Sequence, residues 1–295
     1  MNFIDIFIHS IYYGWTARSI RCITHPSGSF EKGPIVPFDI VFEIDQFGSE
    51  ALTRLIRETI SFVQGVRIEF ISHRKRSSKR EESPASTVGL TVGRPTIRIT
   101  DKLDRTQQIE AIAHELIHLL LVYRFGLRII GLKVPPPGNH EEVFKFCMNM
   151  NKDWDYILGQ IVNTAHHLIL IDYLKEECGI ESNVHLHLLH HNFRILTNEN
   201  TKDTESLYAK GIIAFEYERL IGKVASVMNS SSQSESFWKA YHSATEYFGS
   251  YRFPSIPAPS AYEENILSFL EALGYEREDF VWWPENFWEN RPDPL

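Results

Sequence analysis

Two histidines four residues apart, inside a long apolar segment, constrain this chain more than any other feature. The segment His114-Glu115-Leu116-Ile117-His118 lies within residues 105–125, which are predicted to form a helix. Side chains four residues apart lie on one helix face, so the two imidazoles can bind one cation. Zinc accepts such nitrogen ligands in a tetrahedral site. The pattern therefore predicts one Zn²⁺ on His114 and His118, with Glu115 beside it as general base.

The apolar surroundings of this motif favour a metal site over a chance match. The pattern is short, and random shuffling of such a composition produces it about one time in twenty. Apolar residues flank the motif on both sides, however, so the predicted helix is apolar around most of its circumference. Burying two imidazoles and a carboxylate in such a helix is costly unless their polar atoms are satisfied. A bound metal ion satisfies them.

The hydrophobic patterning along the chain predicts an α+β fold, with a small sheet followed by a mainly helical second half. Ser49 is the expected N-cap of the first helix. Strands are predicted at residues 38–45, 66–72, 87–92 and 96–100, and helices at 49–63, 105–125, 155–177, 204–226, 233–248 and 261–273. We divide the chain into a catalytic domain over residues 1–200, a helical extension over 201–252, and a proline-rich linker, helix and aromatic tail over 253–295.

The segment before the motif and the motif itself carry a resemblance to a known family. Thr96-Ile97-Arg98-Ile99-Thr100, followed by Ala113-His114-Glu115-Leu116-Ile117-His118-Leu119-Leu120, resembles the zincin metallopeptidases. The resemblance implies zinc on the two histidines and hydrolysis of a peptide bond by a zinc-activated water, with Glu115 as base. It also implies a zincin-like sheet whose edge strand binds substrate. The residues of this strand are Thr96, Ile97, Arg98 and Ile99.

A third protein ligand has to come from another part of the chain. His167, in Asn163-Thr164-Ala165-His166-His167, is the preferred candidate because it lies on a second strongly apolar helix. The Asn-x-x-x-His pattern looks like that of bacterial zincin-like proteins. The alternative is His140, whose surroundings resemble the SprT-like proteases, although Glu141 stands where those proteins have glycine. A glutamate ligand, Glu141 or Glu142, is a weaker third option.

The second histidine-rich segment, residues 185–191, is interpreted as a solvated or partly packed amphipathic segment. It has no acidic residue directly after a histidine, unlike the first motif. A donor that stabilises the transition state is expected from one of several residues, among which the sequence does not choose. The candidates are Tyr123, Tyr208, Tyr217 and the histidines of 185–191.

Charge and composition restrict the expected partners. The formal net charge is -8, which argues against a nucleic-acid partner. Three cysteines without CxxC spacing, and a start without signal-peptide features, lead us to expect a cytoplasmic protein that does not bind membranes. The expected partner is a polypeptide substrate, and a regulatory protein partner could restrain such an activity. Two rivals stay open: a non-catalytic binding module on a zincin scaffold, and a DNA-associated SprT-like protease.

Overall fold

The computed structural model describes residues 48–63, 66–71, 85–88, 95–100, 102–133, 152–198, 203–222 and 234–283. Within them the fold is mixed α+β, mostly helical with two small sheets. The predicted strand at residues 38–45, the alternative ligand His140 and the glutamates Glu141 and Glu142 lie outside the described residues. No helix in the described part of the chain is long and apolar enough to cross a membrane.

The described elements overlap each helix and strand predicted between residues 49 and 273, and further elements occur at residues 129–132, 183–198 and 280–283. The helices are α1 (Glu50–Ile60), α2 (Arg105–Tyr123), α3 (Lys152–Cys178), α4 (Asn183–Asn198), α5 (Thr204–Ile221), α6 (Glu235–Phe248) and α7 (Pro259–Leu273). The strands are β1 (Arg67–Ile71), β2 (Ala85–Val88), β3 (Thr96–Thr100), β4 (Ile129–Leu132) and β5 (Phe280–Trp283). The Ser49 side chain accepts a hydrogen bond from the Leu52 backbone N–H, so the predicted N-cap of α1 is confirmed.

The first sheet corrects one prediction about the substrate strand. Its order is β1-β3-β2, with β3 parallel to β1 and antiparallel to β2. Strand β3 is thus the central strand, and its backbone pairs on both sides. The prediction that Thr96, Ile97, Arg98 and Ile99 form an edge strand open to substrate was therefore wrong. Of the three strands, β1 and β2 occupy the edges.

Helix α2 lies in the middle of the molecule. Asp104 and Gln107 form a capping box that fixes its start. The helix packs against α1, β2, β3, α3 and α4, so nearly every side chain from Glu110 to Val122 is buried. Polar groups on this helix must therefore find partners inside the protein.

The helical half surrounds α2 and brings in the C-terminal region. Helix α3 packs against α2 and α5, α4 packs against α2 and α5, and α5 packs against α6. Strand β5 pairs antiparallel with β4, so Trp282 and Trp283 pack back onto the body. One cluster of buried apolar side chains reaches from Leu52 to Phe280. The division of the chain at residues 200 and 252 stays a prediction.

A glycine permits the close approach of α5 to α6. A Cβ atom added at Gly211 would lie 2.4 Å from the backbone oxygen of Phe237 and 3.0 Å from Cβ of Ala240. The first contact is with backbone, which cannot rotate away. The two helices would therefore have to separate to admit a larger residue.

We expect Gly211→Ala to lower the free energy of unfolding by about 1–3 kcal/mol, because this overpacking exceeds the gain in helix propensity. Urea unfolding followed by circular dichroism measures the change. Lys239→Ala, at an exposed position of α6, is the matched control and should stay within about 0.5 kcal/mol of wild type. A Gly211→Ala protein as stable as wild type would contradict the close contact.

Candidate metal centre

Three of the sequence-predicted ligands come together in the interior. His114 and His118 lie on α2 and His167 lies on α3, and one ligand nitrogen from each falls within 4.8 Å of the others. The Nε2 atoms of His114 and His118 are 3.2 Å apart. Two nitrogens bound to one tetrahedral zinc lie about 3.3 Å apart, so the spacing matches that of a shared ion.

Glu115 lies beside this group and contacts the sheet. The Thr87 hydroxyl, on β2, donates a hydrogen bond of 2.6 Å to Oε2 of Glu115. Burial raises the pKa of the Glu115 carboxyl to about 7, although the hydrogen bonds from Thr87 oppose the rise. A carboxyl group with a pKa near neutrality can both accept and return a proton, as a general base requires.

Glu216, which the sequence analysis did not identify, holds His167 from the opposite side. Nδ1 of His167 donates to Oε1 of Glu216 over 2.7 Å, and the Oε2 atom accepts from Thr164 and Gln160 at 2.6 and 3.1 Å. Burial favours a raised pKa for Glu216, but the neighbouring His167 and His185 outweigh it and hold the pKa well below its usual range. Glu216 is therefore ionised, and it leaves Nε2 of His167 as the nitrogen that can bind a metal.

A fourth imidazole, His185 on α4, lies next to the same group. Its ring centroid is 5.0 Å from that of His114 and 4.1 Å from that of His167, and its Nε2 is 3.4 Å from Oε1 of Glu216. His167, His185 and Glu216 form a second set with metal-binding spacing. This set shares His167 with the first, and the hydrogen bond between His167 and Glu216 occupies it. We therefore assign it a supporting role.

The position of His185 depends on a carboxylate from α2. Oε1 of Glu110 accepts hydrogen bonds from the backbone N–H groups of Val184 and His185, at 2.6 and 3.3 Å. These are unsatisfied donors of the first turn of α4, where a negative charge is favourable. Glu110 lies one turn before His114, so the helix that carries two ligand candidates also anchors the helix that carries His185.

His166, which directly precedes His167 on α3, lies next to His118. Its Nδ1 is 3.1 Å from Nδ1 of His118, and its Nε2 is 3.2 Å from the backbone oxygen of Leu127. Burial lowers the pKa of His166 to about 3, so its ring is neutral at physiological pH. Burial also lowers the pKa values of His114, His118 and His167.

Two of the tyrosines considered as transition-state donors are engaged elsewhere. The Tyr208 hydroxyl donates to the backbone oxygen of Leu273 at 3.0 Å, and the Tyr217 hydroxyl is hydrogen-bonded to Nδ1 of His190 at 2.7 Å. Among those candidates, His185 is the one whose ring contacts the ligand histidines.

Comparison of the chain with protein-family models, with curated proteins and with solved structures found no match. Function has to be inferred from the chemistry of the site.

We expect Glu110→Ala to lower the free energy of unfolding by about 1–3 kcal/mol, because two part-buried N–H groups of α4 lose their acceptor. Glu110→Gln is the matched control, since its amide oxygen can still accept both hydrogen bonds, and it should lose clearly less. Urea unfolding of the zinc-free proteins measures both effects. Equal losses in the two variants would show that capping of α4 is not what Glu110 contributes.

The zinc-free protein should lose stability as the pH falls below 6.5. The pKa values of four buried histidines are lowered from an ordinary 6.5, so the unfolded chain takes up these protons at a higher pH than the folded protein. Above pH 6.5 these neutral histidines make their full contribution to the free energy of unfolding. Below it, each extra proton on the unfolded chain costs about 1.4 kcal/mol per pH unit, and the raised pKa of Glu115 offsets one of these protons. Urea midpoints at several pH values test this, and a flat profile between about pH 7.5 and 5.5 would contradict neutral, buried histidines.

Proposed function

We propose that this chain is a zinc-dependent metallopeptidase in which His114, His118 and His167 bind the ion and Glu115 is the general base. One observation carries the proposal: ligand nitrogens of the buried His118 and His167 and of the partly buried His114 lie within 4.8 Å of one another, and the buried Glu115 directly follows His114 on the same helix. Three protein ligands with a further coordination position left for water or substrate are typical of catalytic zinc.

The charges of the site support a bound divalent cation. Glu216 is ionised and only 1% exposed, and burial lowers the pKa values of His114, His118 and His167. A buried negative charge is costly unless a positive charge offsets it. The Nε2 atoms of His114 and His118 face one another at 3.2 Å, so that a cation bound between them can accept a lone pair from each unprotonated nitrogen.

The residues around the ion have distinct roles in peptide-bond hydrolysis. Zinc bound here supplies a Lewis acid that polarises a carbonyl and makes water acidic enough to attack it near neutral pH. Glu115 accepts the proton of the attacking water and returns it to the leaving amine. Thr87 fixes the orientation of that carboxylate through Oε2. Glu216 fixes the ring of His167.

Strand β2 is the better candidate for binding an extended peptide. It lies at an edge of the three described strands, and its Thr87 contacts Glu115 directly. An extended chain that pairs with a strand edge is held by backbone hydrogen bonds, largely independent of its sequence. The choice of a polypeptide over a small amide rests on this edge and on the resemblance to zincin peptidases.

The second candidate is a non-catalytic zinc site, which His185 favours. A fourth imidazole next to the other three could close the coordination shell, as in structural zinc sites. Two observations speak for catalysis instead. His185 falls outside the set of mutually close ligand atoms formed by His114, His118 and His167. A purely structural site has no need of a buried carboxyl with a pKa near 7, such as Glu115.

Glu115→Gln separates the two candidates. We expect the variant to retain stoichiometric zinc but to cleave peptides about 10²–10⁴ times more slowly, because the proton acceptor is lost. Digestion of a peptide library followed by mass spectrometry measures cleavage, and metal analysis measures zinc. Glu181→Gln, at an exposed position, is the matched control. Equal cleavage by Glu115→Gln and wild type, or a zinc-loaded wild type that cleaves nothing in the library, would remove the peptidase assignment.

A further inference from the structure

We propose that His166 is a positioning residue that holds His118 in the tautomer with an unprotonated Nε2, through a hydrogen-bond relay that ends at the backbone carbonyl of Leu127. The proposal rests on the zinc site proposed above, because it concerns how one of its ligands is prepared for the ion. His166 itself is too far round α3 to join the ligand group.

The hydrogen bonds of the relay run from His118 through His166 to the backbone oxygen of Leu127. His166 directly precedes His167 on α3, and its ring contacts His118 on α2 and Leu127 in the turn after α2. Its Nδ1 contacts Nδ1 of His118 at 3.1 Å, and its Nε2 contacts the Leu127 oxygen at 3.2 Å. The ring is 0% exposed, so water does not compete for either nitrogen.

The carbonyl at the end of the relay decides where the hydrogens lie. A carbonyl oxygen only accepts, so Nε2 of His166 must carry the N–H that reaches Leu127. A neutral imidazole has one N–H, which leaves Nδ1 of His166 as an acceptor. The hydrogen between the two rings then belongs to Nδ1 of His118. Nε2 of His118 is left with a lone pair, and this nitrogen is the one that lies 3.2 Å from Nε2 of His114.

Tyr262 on α7 completes the relay. Its hydroxyl oxygen is 3.2 Å from Nε2 of His166, and the side chain is fully buried. As a second acceptor for the same N–H, the hydroxyl stabilises the same tautomer. If Tyr262 instead donated to Nε2 of His166, every hydrogen in the relay would shift, and Nε2 of His118 would be protonated and unable to bind a metal. The two arrangements are therefore distinguishable by experiment.

The tautomers can be read directly in the zinc-free protein. Two-bond ¹H–¹⁵N correlation spectra distinguish an imidazole protonated at Nδ1 from one protonated at Nε2, and His118→Asn and His166→Asn assign the signals. We expect His118 protonated at Nδ1 and His166 protonated at Nε2. The opposite pair of tautomers would overturn the proposal.

Zinc affinity gives a second readout that does not depend on catalysis. We expect His166→Leu, which removes the acceptor, to weaken zinc binding about 10–100-fold in competition with a chromophoric chelator. His166→Asn places an amide oxygen near the position of Nδ1 and should recover most of this loss. His190→Asn, which changes an exposed histidine on α4 that is hydrogen-bonded to Tyr217, is the control and should bind zinc as wild type does.

The variants also separate this proposal from the proposed function. Equal zinc affinity for His166→Leu and wild type would overturn the relay even in an active peptidase. A wild type that binds zinc but cleaves nothing would overturn the peptidase and leave the relay supported. If His166→Leu fails to fold, as circular dichroism would show, the tautomers of the wild-type protein and the affinity of His166→Asn decide.

Discussion

The hydrogen bond between His167 and Glu216 is the contact on which the candidate centre depends. It joins α3 to α5 in the interior, and the charge on Glu216 is stabilised there by three donors: His167 contacts one oxygen, and Thr164 and Gln160 contact the other. A buried carboxylate with one donor missing would cost several kcal/mol. The three donors all lie on α3, and they therefore fix the register of α3 against α5. This register also sets the position of His167, the proposed third ligand, relative to α2.

Two buried glutamates in this small volume have opposite protonation behaviour. Burial dominates at Glu115, where Thr87 offers too little compensation, and the pKa rises to about 7. At Glu216 the imidazoles outweigh burial, and the pKa falls well below its usual range. Environments that shift the pKa values of two carboxyl groups in opposite directions give the two groups different roles. Glu115 can exchange a proton, whereas Glu216 stays charged and can only orient its partner.

The sequence predicted the parts of the site that local spacing determines. His114, Glu115 and His118 were predicted because residues four apart lie on one helix face. His167 was predicted because burying a polar residue in an apolar helix is costly. Glu216 depends on the packing of α5 against α3, and its one visible signal was an acid within the apolar stretch from Ile212 to Tyr217. The central position of β3 was missed because edge and central strands share a pattern, and the parallel pairing with β1 skips β2. Strand β4 was missed because its partner β5 lies far along the chain.

Two of the proposed ligands, His167 and His118, contact side chains of different charge. This difference bears on the proposed reaction. His167 has an anionic partner, which makes it the more basic imidazole, whereas His118 has the neutral His166 behind it. A second carboxylate behind His118 would donate more electron density and weaken the ion as a Lewis acid. Using a neutral imidazole to set the tautomer fixes the ligand without adding a second negative charge. In the proposed zinc site, this arrangement would orient His118 without adding a negative charge that opposes activation of water.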